Sequence, residues 1–238
     1  MDCATMDETV ALIIKRIVAG QFTQHVGVNV AKLVHMQSDS QLAKSVRECD
    51  VISIDGMGVV WGARILGHDV AERVTGVDLF DKLLAEAATL ALPVYFLGAT
   101  EAVVARVATV SVERFPGLRI AGYHHGYFGK DEQPVVDLIR ESGARLLFVA
   151  ITSPMKENFI NRWQKDLGVD FVMGVGGTFD VVAGKVSRAP MWMQKAGLEW
   201  LYRVLQEPRR MWRRYLVTNV RFGLMLGKAL VVPRRAHE

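Results

Sequence analysis

The sequence predicts an α/β protein with a parallel β-sheet and crossover helices, followed by a basic helical appendage. Short apolar runs alternate with amphipathic stretches along most of the chain, and parallel sheets with crossover helices produce this alternation. Beyond Ala189 and Pro190 the apolar runs stop and the chain reads as helix only, with Pro208 separating two helices. We therefore expect an α/β core over residues 1–189 and a helical appendage over residues 190–238.

The individual elements follow from length and periodicity. Six apolar runs are predicted to be strands: residues 25–30, 51–54, 93–98, 119–123, 145–152 and 171–176. Five amphipathic stretches between them are predicted to be helices: residues 39–48, 77–90, 101–115, 133–142 and 155–167.

Length and composition limit the classes of protein. The chain has 238 residues, 50% of them hydrophobic and 23% charged, which excludes a disordered chain and permits one sizeable core. Two cysteines, Cys3 and Cys49, exclude a disulfide scaffold and favour a reduced, cytoplasmic protein. The N-terminus lacks the pattern of a signal peptide, and no run of about 20 apolar residues predicts a membrane span. Residues 216–233 come nearest, but polar residues interrupt them, which favours an interfacial amphipathic segment.

The net charge of +4 is distributed unevenly. Residues 200–238 hold nine Lys and Arg residues and two acidic ones, a local charge of +7, which leaves −3 for the first 199 residues. This distribution does not suit a general nucleic-acid binder. We expect the basic end to bind phosphates, either of an anionic membrane surface or of a ligand.

Asp55 follows the second predicted strand, and ligands of parallel sheets bind beyond the carboxyl ends of the strands. In the functional interpretation Asp55 is a general base or a ligand anchor, and Gly56 and Gly58 let the backbone approach a ligand at a helix start. In the structural alternative, Asp55 and Gly56 form an ordinary turn and helix cap.

The fifth predicted strand leads into Ser153, Pro154 and Lys156. Ser153 suits a helix cap and Pro154 a first helical position, so a purely local role explains both. Lys156 would lie in the first turn, where a cation opposes the helix macrodipole. This misfit favours the alternative that its ammonium group faces a bound phosphate or sugar.

The sixth predicted strand ends in a glycine-rich turn that contains Gly174, Gly176 and Gly177 and precedes Asp180. Such a turn can hold a diphosphate or can simply pack tightly. A nicotinamide enzyme is not expected, because Phe179 stands where the dinucleotide fingerprint needs its third glycine. We also expect no metal site at the His124-His125 pair, which lacks further ligands at suitable spacing.

The basic end has a spacing as well as a charge. Six arginines and no lysines lie between residues 203 and 221, which favours phosphate recognition by guanidinium groups over a merely solvated helix. Four of them would share one helical face if the break at Pro208 is mild: Arg203, Arg210, Arg214 and Arg221. The residues expected at a membrane surface are Arg209, Arg214, Arg221 and Trp212.

Several segments are distinctive as motifs: DGMGVV at residues 55–60, ERVTGVD at 72–78, GYF at 126–128, the turn at 174–180, and a long block from RAP at 188–190 through GLEWLYR at 197–203 to EPRR at 207–210. Together they resemble the WecG/TagA/CpsF glycosyltransferases, glycosyltransferase family 26. The resemblance covers residues 25–222, and the block over 188–215 is its most specific part.

The resemblance implies a Rossmann-like fold and an inverting, metal-independent transferase. Such enzymes move a sugar from a UDP-sugar donor to a polyprenyl-diphosphate-linked sugar acceptor at the cytoplasmic face of the cell membrane. The best-known members transfer N-acetylmannosamine or its uronic acid, and others build capsule or exopolysaccharide. The family's appendage docks on the bilayer and completes the active site, which agrees with the charge distribution found here.

The resemblance also implies roles for individual residues. Asp55 matches the family's catalytic base, which removes the proton of the acceptor hydroxyl group. Arginines of the appendage match those that close on the donor diphosphate and neutralise the leaving UDP. With the strand-end residues, the expected substrate-binding set is Asn29, Gly56, Gly58, Arg73, Lys156, Gly176, Gly177, Asp180, Arg203, Arg210 and Arg213.

Two positions depart from the family pattern. Gly27 stands where the family usually has threonine, and Lys156 stands where it usually has glutamine. The loss of a hydroxyl group and the gain of a cation suggest altered sugar recognition with catalysis retained. We therefore expect a donor other than UDP-N-acetylmannosamine, either a UDP-hexose or a UDP-uronic acid that pairs with Lys156. The alternative from another class is a peripheral membrane module that binds lipid and performs no chemistry.

Overall fold

The computed structural model describes residues 4–231, apart from the side chain of Arg210. Six parallel strands form one sheet in the order β2-β1-β6-β5-β3-β4. The strands are β1 Thr23–Val28, β2 Val51–Ile54, β3 Val94–Gly98, β4 Ile120–His124, β5 Leu146–Ala150 and β6 Phe171–Gly174. The predicted α/β fold with a parallel sheet is confirmed, and each of the six predicted strands is present.

Twelve helices lie within the described residues. Nine belong to the core: α1 Met6–Val18, α2 Val30–His35, α3 Ser40–Arg47, α4 Met57–Ile65, α5 Gly76–Thr89, α6 Glu101–Arg114, α7 Gln133–Glu141, α8 Met155–Trp163 and α9 Thr178–Val182. Three follow in the appendage: α10 Met191–Lys195, α11 Glu199–Gln206 and α12 Pro208–Val231. Residues 232–238 of the predicted appendage lie outside the described residues.

The sheet is buried on both faces, because successive strand side chains alternate between two apolar layers. Phe96 of β3 and Phe148 of β5 pack against Phe80 of α5 and Phe179 of α9 on one face. Leu97 and its alternating neighbours pack on the other face, under α7 and α8. This three-layer arrangement fixes the strands, and with them the positions of the loops that follow their carboxyl ends.

The first helix is the largest difference from the sequence prediction. Apolar side chains of α1 enter the core, and Ile13 and Ile17 are fully buried. Thr5 and Glu8 form a capping box at its start: the Glu8 amide donates to Thr5 Oγ1, and Glu8 Oε2 accepts from the Thr5 amide at 2.8 Å. The Thr-x-x-Glu spacing was the sequence signal for this helix.

The chain reverses direction within the appendage. Pro208 separates α11 from α12 as predicted, and Glu207 between them has the non-helical dihedral angles φ −132° and ψ 62°. The rings of Trp200 and Tyr215 have centroids 5.8 Å apart. A straight helix would place these residues about 22 Å apart at 1.5 Å per residue. The break at Pro208 is therefore sharp, so the condition under which Arg203 would share a helical face with Arg210, Arg214 and Arg221 is not met.

The last helix packs on the core. Met211 and Thr218 are buried, and α12 lies against α2. Phe222 approaches α4 so closely that its ring carbon Cζ lies 2.8 Å from where a β-carbon of Gly62 would stand. Gly197, in the turn between α10 and α11, likewise accommodates Met57 of α4. Among the described residues, no helix is both long and apolar enough to cross a membrane.

Candidate active site at the carboxyl edge of the sheet

Three neighbouring strands bring the predicted site residues to one edge of the sheet. Asn29 follows β1, Asp55 follows β2, and the glycine-rich turn over residues 174–177 begins at the last residue of β6. Val28 pairs with Ile54 across β1 and β2, so the residues that follow them leave the sheet at the same level. Residues far apart in the sequence therefore meet at the edge where ligands of parallel sheets bind.

Asp55 is half-buried and held by backbone groups. Its Oδ1 accepts a hydrogen bond of 3.0 Å from the amide of Gly76, and its own amide donates to the Val28 carbonyl at 3.0 Å. Gly27 of β1 lies beside it: a β-carbon there would stand 3.2 Å from Asp55 Cβ and 3.9 Å from Oδ2. The carboxylate is thus fixed through one oxygen, with the Oδ2 side next to a residue that has no side chain.

Asn29, Gly56 and Gly58 have packing roles in this structure. Asn29 caps α2, since its Oδ1 accepts from the Lys32 amide at 3.0 Å. A β-carbon at Gly56 would lie 2.9 Å from Asn29 Cβ, and one at Gly58 would lie 2.7 Å from Val30 Cγ2. The two glycines allow the turns after β1 and β2 to touch, and this contact holds Asp55 close to Asn29. A role in substrate binding stays a prediction for all three.

Three charged side chains are buried together beneath this edge: Lys32, Glu157 and Lys156, here called the buried cluster. Lys32 Nζ lies 2.9 Å from Glu157 Oε1, and Lys156 Nζ lies 3.3 Å from the same oxygen. Burial would raise the pKa of Glu157, but the ammonium groups of Lys156 and Lys32 lower that pKa to about 2. Two cations therefore share one carboxylate, which is ionised at neutral pH.

The structure places Lys156 in the first turn of α8, which begins at Met155 as predicted, with Pro154 and not the expected Ser153 as its cap. The stem of Lys156 crosses Gly174, where a β-carbon would stand 2.8 Å from Lys156 Cε. Its Nζ lies 3.8 Å from the β-carbon position of Gly176, a residue with a positive φ of 54°. At position 176 the positive φ of the turn requires glycine. At position 174 glycine is required because a side chain would collide with the stem of Lys156.

The rest of the glycine-rich turn faces the appendage. Arg203 Nη1 of α11 lies 3.9 Å from where a β-carbon of Gly177 would stand. Asp180 pairs with Lys185, at 3.4 Å between Oδ1 and Nζ. The turn therefore brings one predicted appendage arginine, Arg203, to the carboxyl edge of the sheet.

A second ionic cluster ties the appendage to the core. Arg73 Nη1 lies 2.6 Å from Glu199 Oε2 of α11, and Arg188 donates two hydrogen bonds, of 2.6 and 2.7 Å, to Asp78. Burial would raise the pKa of Asp78, but the hydrogen bonds from Arg188 and Thr75 outweigh burial and lower that pKa. The predicted substrate residue Arg73 is thus held by a carboxylate of the appendage.

Sequence reasoning assigned no role to Lys32, Glu157, Arg188 or Glu199. Arg188 and Glu199 stand in the long distinctive block, so their motif was visible but their partners were not. Lys32 and Glu157 are 125 positions apart in the sequence and look like ordinary helix-surface charges. Only the tertiary structure, in which Lys32 of α2 reaches Glu157 of α8, shows that they are buried.

The remaining predicted arginines are on the surface of the appendage. Arg209, Arg213, Arg214 and Arg221, here called the exposed arginines, lie along α12, and none has an ion-pair partner among the described residues. Trp212 beside them is 53% exposed. The side chain of Arg210 lies outside the described part of the structure. No group of three or more His, Cys, Asp or Glu side chains in the described part is placed to hold a metal ion.

Comparison with known proteins agrees with the motifs. The model of the "Glycosyl transferase WecG/TagA/CpsF family" matches residues 1–236. The chain is 40% identical over 167 residues to the N-acetylglucosaminyldiphosphoundecaprenol N-acetyl-beta-D-mannosaminyltransferase of Bacillus spizizenii strain W23, which covers 70% of this chain and 64% of that protein. The protein of the same name from Bacillus subtilis strain 168 is 35% identical over 162 residues, 68% of this chain and 62% of that protein. The chain therefore matches less than two thirds of the length of either relative.

The family resemblance found in the sequence is confirmed, and the chain belongs to the WecG/TagA/CpsF family of glycosyl transferases.

Proposed function

We propose that the protein is an inverting glycosyltransferase that moves a sugar from a UDP-sugar to a polyprenyl-diphosphate-linked saccharide in cell-surface polysaccharide synthesis. The observation that carries this proposal is Asp55, a carboxylate fixed at the carboxyl edge of the sheet within a chain of this transferase family. The two named relatives support the substrate classes, since their names specify a lipid-diphosphate acceptor and transfer of an amino sugar.

Asp55 acts as the general base in this mechanism. Its free oxygen takes the proton of the acceptor hydroxyl group while the acceptor oxygen bonds to the anomeric carbon of the donor sugar. The bond from that carbon to the diphosphate oxygen breaks on the opposite face, and UDP leaves with the electron pair. A single displacement inverts the anomeric configuration. The Gly76 amide keeps the carboxylate oriented through Oδ1.

Cations of the chain neutralise the leaving UDP, and the proposal includes no metal cofactor. Arg203 lies at the glycine-rich turn, and the Nζ of the buried Lys156 lies beside Gly176. Arg73 forms an ion pair with Glu199, and it contacts a diphosphate only when this ion pair opens. Arg210 and Arg213, at the start of α12, complete the predicted set. Fixed cations stabilise developing negative charge most effectively where water is excluded.

The donor is proposed to be a UDP-hexose or a UDP-hexuronate. Gly27 removes a side chain from the space next to Asp55 Oδ2, and Lys156 adds a cation at the same edge. Both features change the surroundings of the donor sugar relative to the family pattern and leave the base in place. Asn29, Gly56, Gly58 and Asp180 belong to the proposed site as residues that shape its walls.

The appendage is proposed to hold the enzyme on the cytoplasmic face of an anionic membrane. Trp212, Leu216, Val220 and Leu224 are all more than half exposed and follow one another at four-residue spacing on α12. The exposed arginines lie on the same helix, and an exposed apolar stripe with arginines suits the boundary between headgroups and acyl chains. This surface also favours the second candidate, a membrane-binding module without chemistry.

A donor panel tests the proposal. The protein is incubated with a short-chain lipid-diphosphate sugar and, in turn, UDP-glucose, UDP-galactose, UDP-glucuronate and UDP-N-acetylmannosamine. We expect transfer with inversion from a hexose or hexuronate donor, and a decrease of about 10²–10⁴-fold in Asp55→Asn, which retains the oxygen that accepts from Gly76. A clear preference for UDP-N-acetylmannosamine would contradict the donor assignment. Vesicle binding without transfer from any donor would favour the non-catalytic module.

A further inference from the structure

The buried cluster places two lysines around one carboxylate. Lys32, Glu157 and Lys156 are 7%, 3% and 7% exposed, and two ammonium groups share one carboxylate. Burial of charged groups carries a desolvation cost that well-packed apolar side chains would avoid. Packing alone therefore does not explain the second lysine, and its position at the carboxyl edge suggests a role toward a ligand.

The protein fixes the ammonium group of Lys156 from several sides. Glu157 Oε1 holds Nζ at 3.3 Å, and the missing side chain of Gly174 makes room for its stem. Lys32 holds Glu157 in turn and donates to the Gly27 carbonyl at 2.8 Å. The contacts thus connect the strand beside Asp55 to the first turn of α8.

The charges around Lys156 come from three elements. Glu157 on its own helix, Lys32 on α2 and Asp55 after β2 all act on it, and His25 and Cys49 line the same small buried space. Burial and then Lys32 lower the pKa of Lys156, while Glu157 and Asp55 oppose this decrease. Burial lowers the pKa of His25 to about 3 and raises the pKa of Cys49 to about 12, so neither group titrates near neutral pH.

We propose that Lys32 and Glu157 are positioning residues that hold the Lys156 ammonium group near Asp55, where it binds an anionic oxygen of the UDP-sugar donor. This inference rests on the proposed transferase function. The anionic oxygen belongs either to the diphosphate or to the carboxylate of a hexuronate, and a fixed ammonium group suits both as a point charge. Glu157 keeps Lys156 protonated, and Lys32 keeps Glu157 in position.

The first experiment measures donor binding by calorimetry in the wild type and Lys156→Gln. The ligands are UMP, UDP, a UDP-hexose and a UDP-hexuronate. If the ammonium group binds the diphosphate, Lys156→Gln weakens UDP and both UDP-sugars by about tenfold. If it binds the sugar carboxylate, only the UDP-hexuronate weakens. Unchanged affinities for all four ligands would overturn the inference.

The second experiment separates positioning from a structural role through the pH dependence of donor binding. In the wild type, affinity should fall at alkaline pH as Lys156 loses its proton. Glu157→Gln removes the carboxylate that opposes deprotonation, so this decrease should move to lower pH, and in Lys156→Gln it should be absent. Glu113→Gln, the same change in an exposed ion pair with Arg106, should leave the profile unchanged. A decrease that does not move in Glu157→Gln would overturn the positioning role.

If loss of the negative charge prevents Glu157→Gln from folding, Glu157→Asp is measured in its place. The shorter side chain keeps the negative charge but withdraws its oxygens from Lys156, so we expect weaker donor binding and an alkaline decrease that moves to lower pH by less than in Glu157→Gln. In Lys156→Gln the change of Glu157 to Asp should no longer affect donor affinity, although it still changes stability. An equal effect with and without Lys156 would overturn the inference. A wild type that binds no UDP ligand would instead refute the proposed function itself.

Discussion

The buried cluster and the exposed arginines use positive charge in two different ways. Lys32 and Lys156 are enclosed by the fold and share the carboxylate of Glu157, whereas the arginines of α12 face solvent without ion-pair partners among the described residues. An interior charge depends on specific partners because water cannot replace them. A surface charge acts over longer distances and is screened by salt. We therefore expect substitutions in the first group to affect stability and those in the second to affect association.

The largest effect is expected for Glu157→Ala, which removes the carboxylate that two buried lysines share. The free energy of unfolding should decrease by about 3–5 kcal/mol, measured by urea denaturation. The matched change Glu113→Ala, in an exposed pair on α6, should cost less than about 1 kcal/mol. Similar costs for the two variants would show that the buried cluster is not the fixed unit described here.

Gly174→Ala should come next, because the added β-carbon would stand 2.8 Å from Lys156 Cε and 2.9 Å from its Cδ. Overpacking of this kind costs about 1–3 kcal/mol, measurable in the same denaturation experiment. Gly223→Ala is the control: it lies in α12 with no atom within 4 Å of the β-carbon position, and should be stabilising by about 0.5–1 kcal/mol. A tolerated Gly174→Ala would mean that the lysine stem can move freely.

The buried histidine gives a pH-dependent prediction. Burial lowers the pKa of His25 to about 3, so between pH 6.5 and 3 the unfolded chain binds a proton that the folded protein does not. Stability should therefore fall as the pH decreases through this range, by about 1.4 kcal/mol per pH unit from this group. His25→Gln should show a shallower dependence in denaturation experiments at pH 6.5 and pH 5. Parallel curves for the two proteins would contradict the buried, neutral state of His25.

The smallest effect on stability is expected for the exposed arginines. Arg213→Gln and Arg214→Gln should change the free energy of unfolding by less than about 0.5 kcal/mol. Each should weaken binding to anionic vesicles by about 1 kcal/mol, and added salt should reduce the difference. Arg106→Gln on α6 is the matched control and should leave vesicle binding unchanged. Equal effects at positions 106 and 213 would contradict a membrane surface on α12.

Truncation of the appendage does not isolate the role of its arginines. Truncation after Pro190 would remove α12, and with it the side chains that cover α2 and α4, including Phe222 against Gly62. A loss of activity in the truncated chain would combine unfolding with loss of the arginines. Single substitutions of exposed arginines separate these two effects, since those side chains contribute little to the core.

Most of the fold followed from the sequence because it depends on local periodicity. The six strands alternate with amphipathic helices, and the end of this alternation near Pro190 marks the appendage. Helix α1 was missed, although its capping box at Thr5 and Glu8 is a local signal. The reversal at Glu207 was missed because a proline shows that a helix ends and does not show in which direction the chain continues.

The sequence by itself determined the sheet, the position of Asp55 after a strand and the excess of positive charge at the C-terminal end. Only the tertiary structure decided which charges are buried and which residues they contact. Lys32 and Glu157 pair across 125 positions because the fold brings the two side chains within 2.9 Å of each other, and Gly174 is explained by a lysine 18 positions away. Local patterns report on neighbours along the chain, whereas ion pairing and close packing depend on distances that exist only once the sheet has formed.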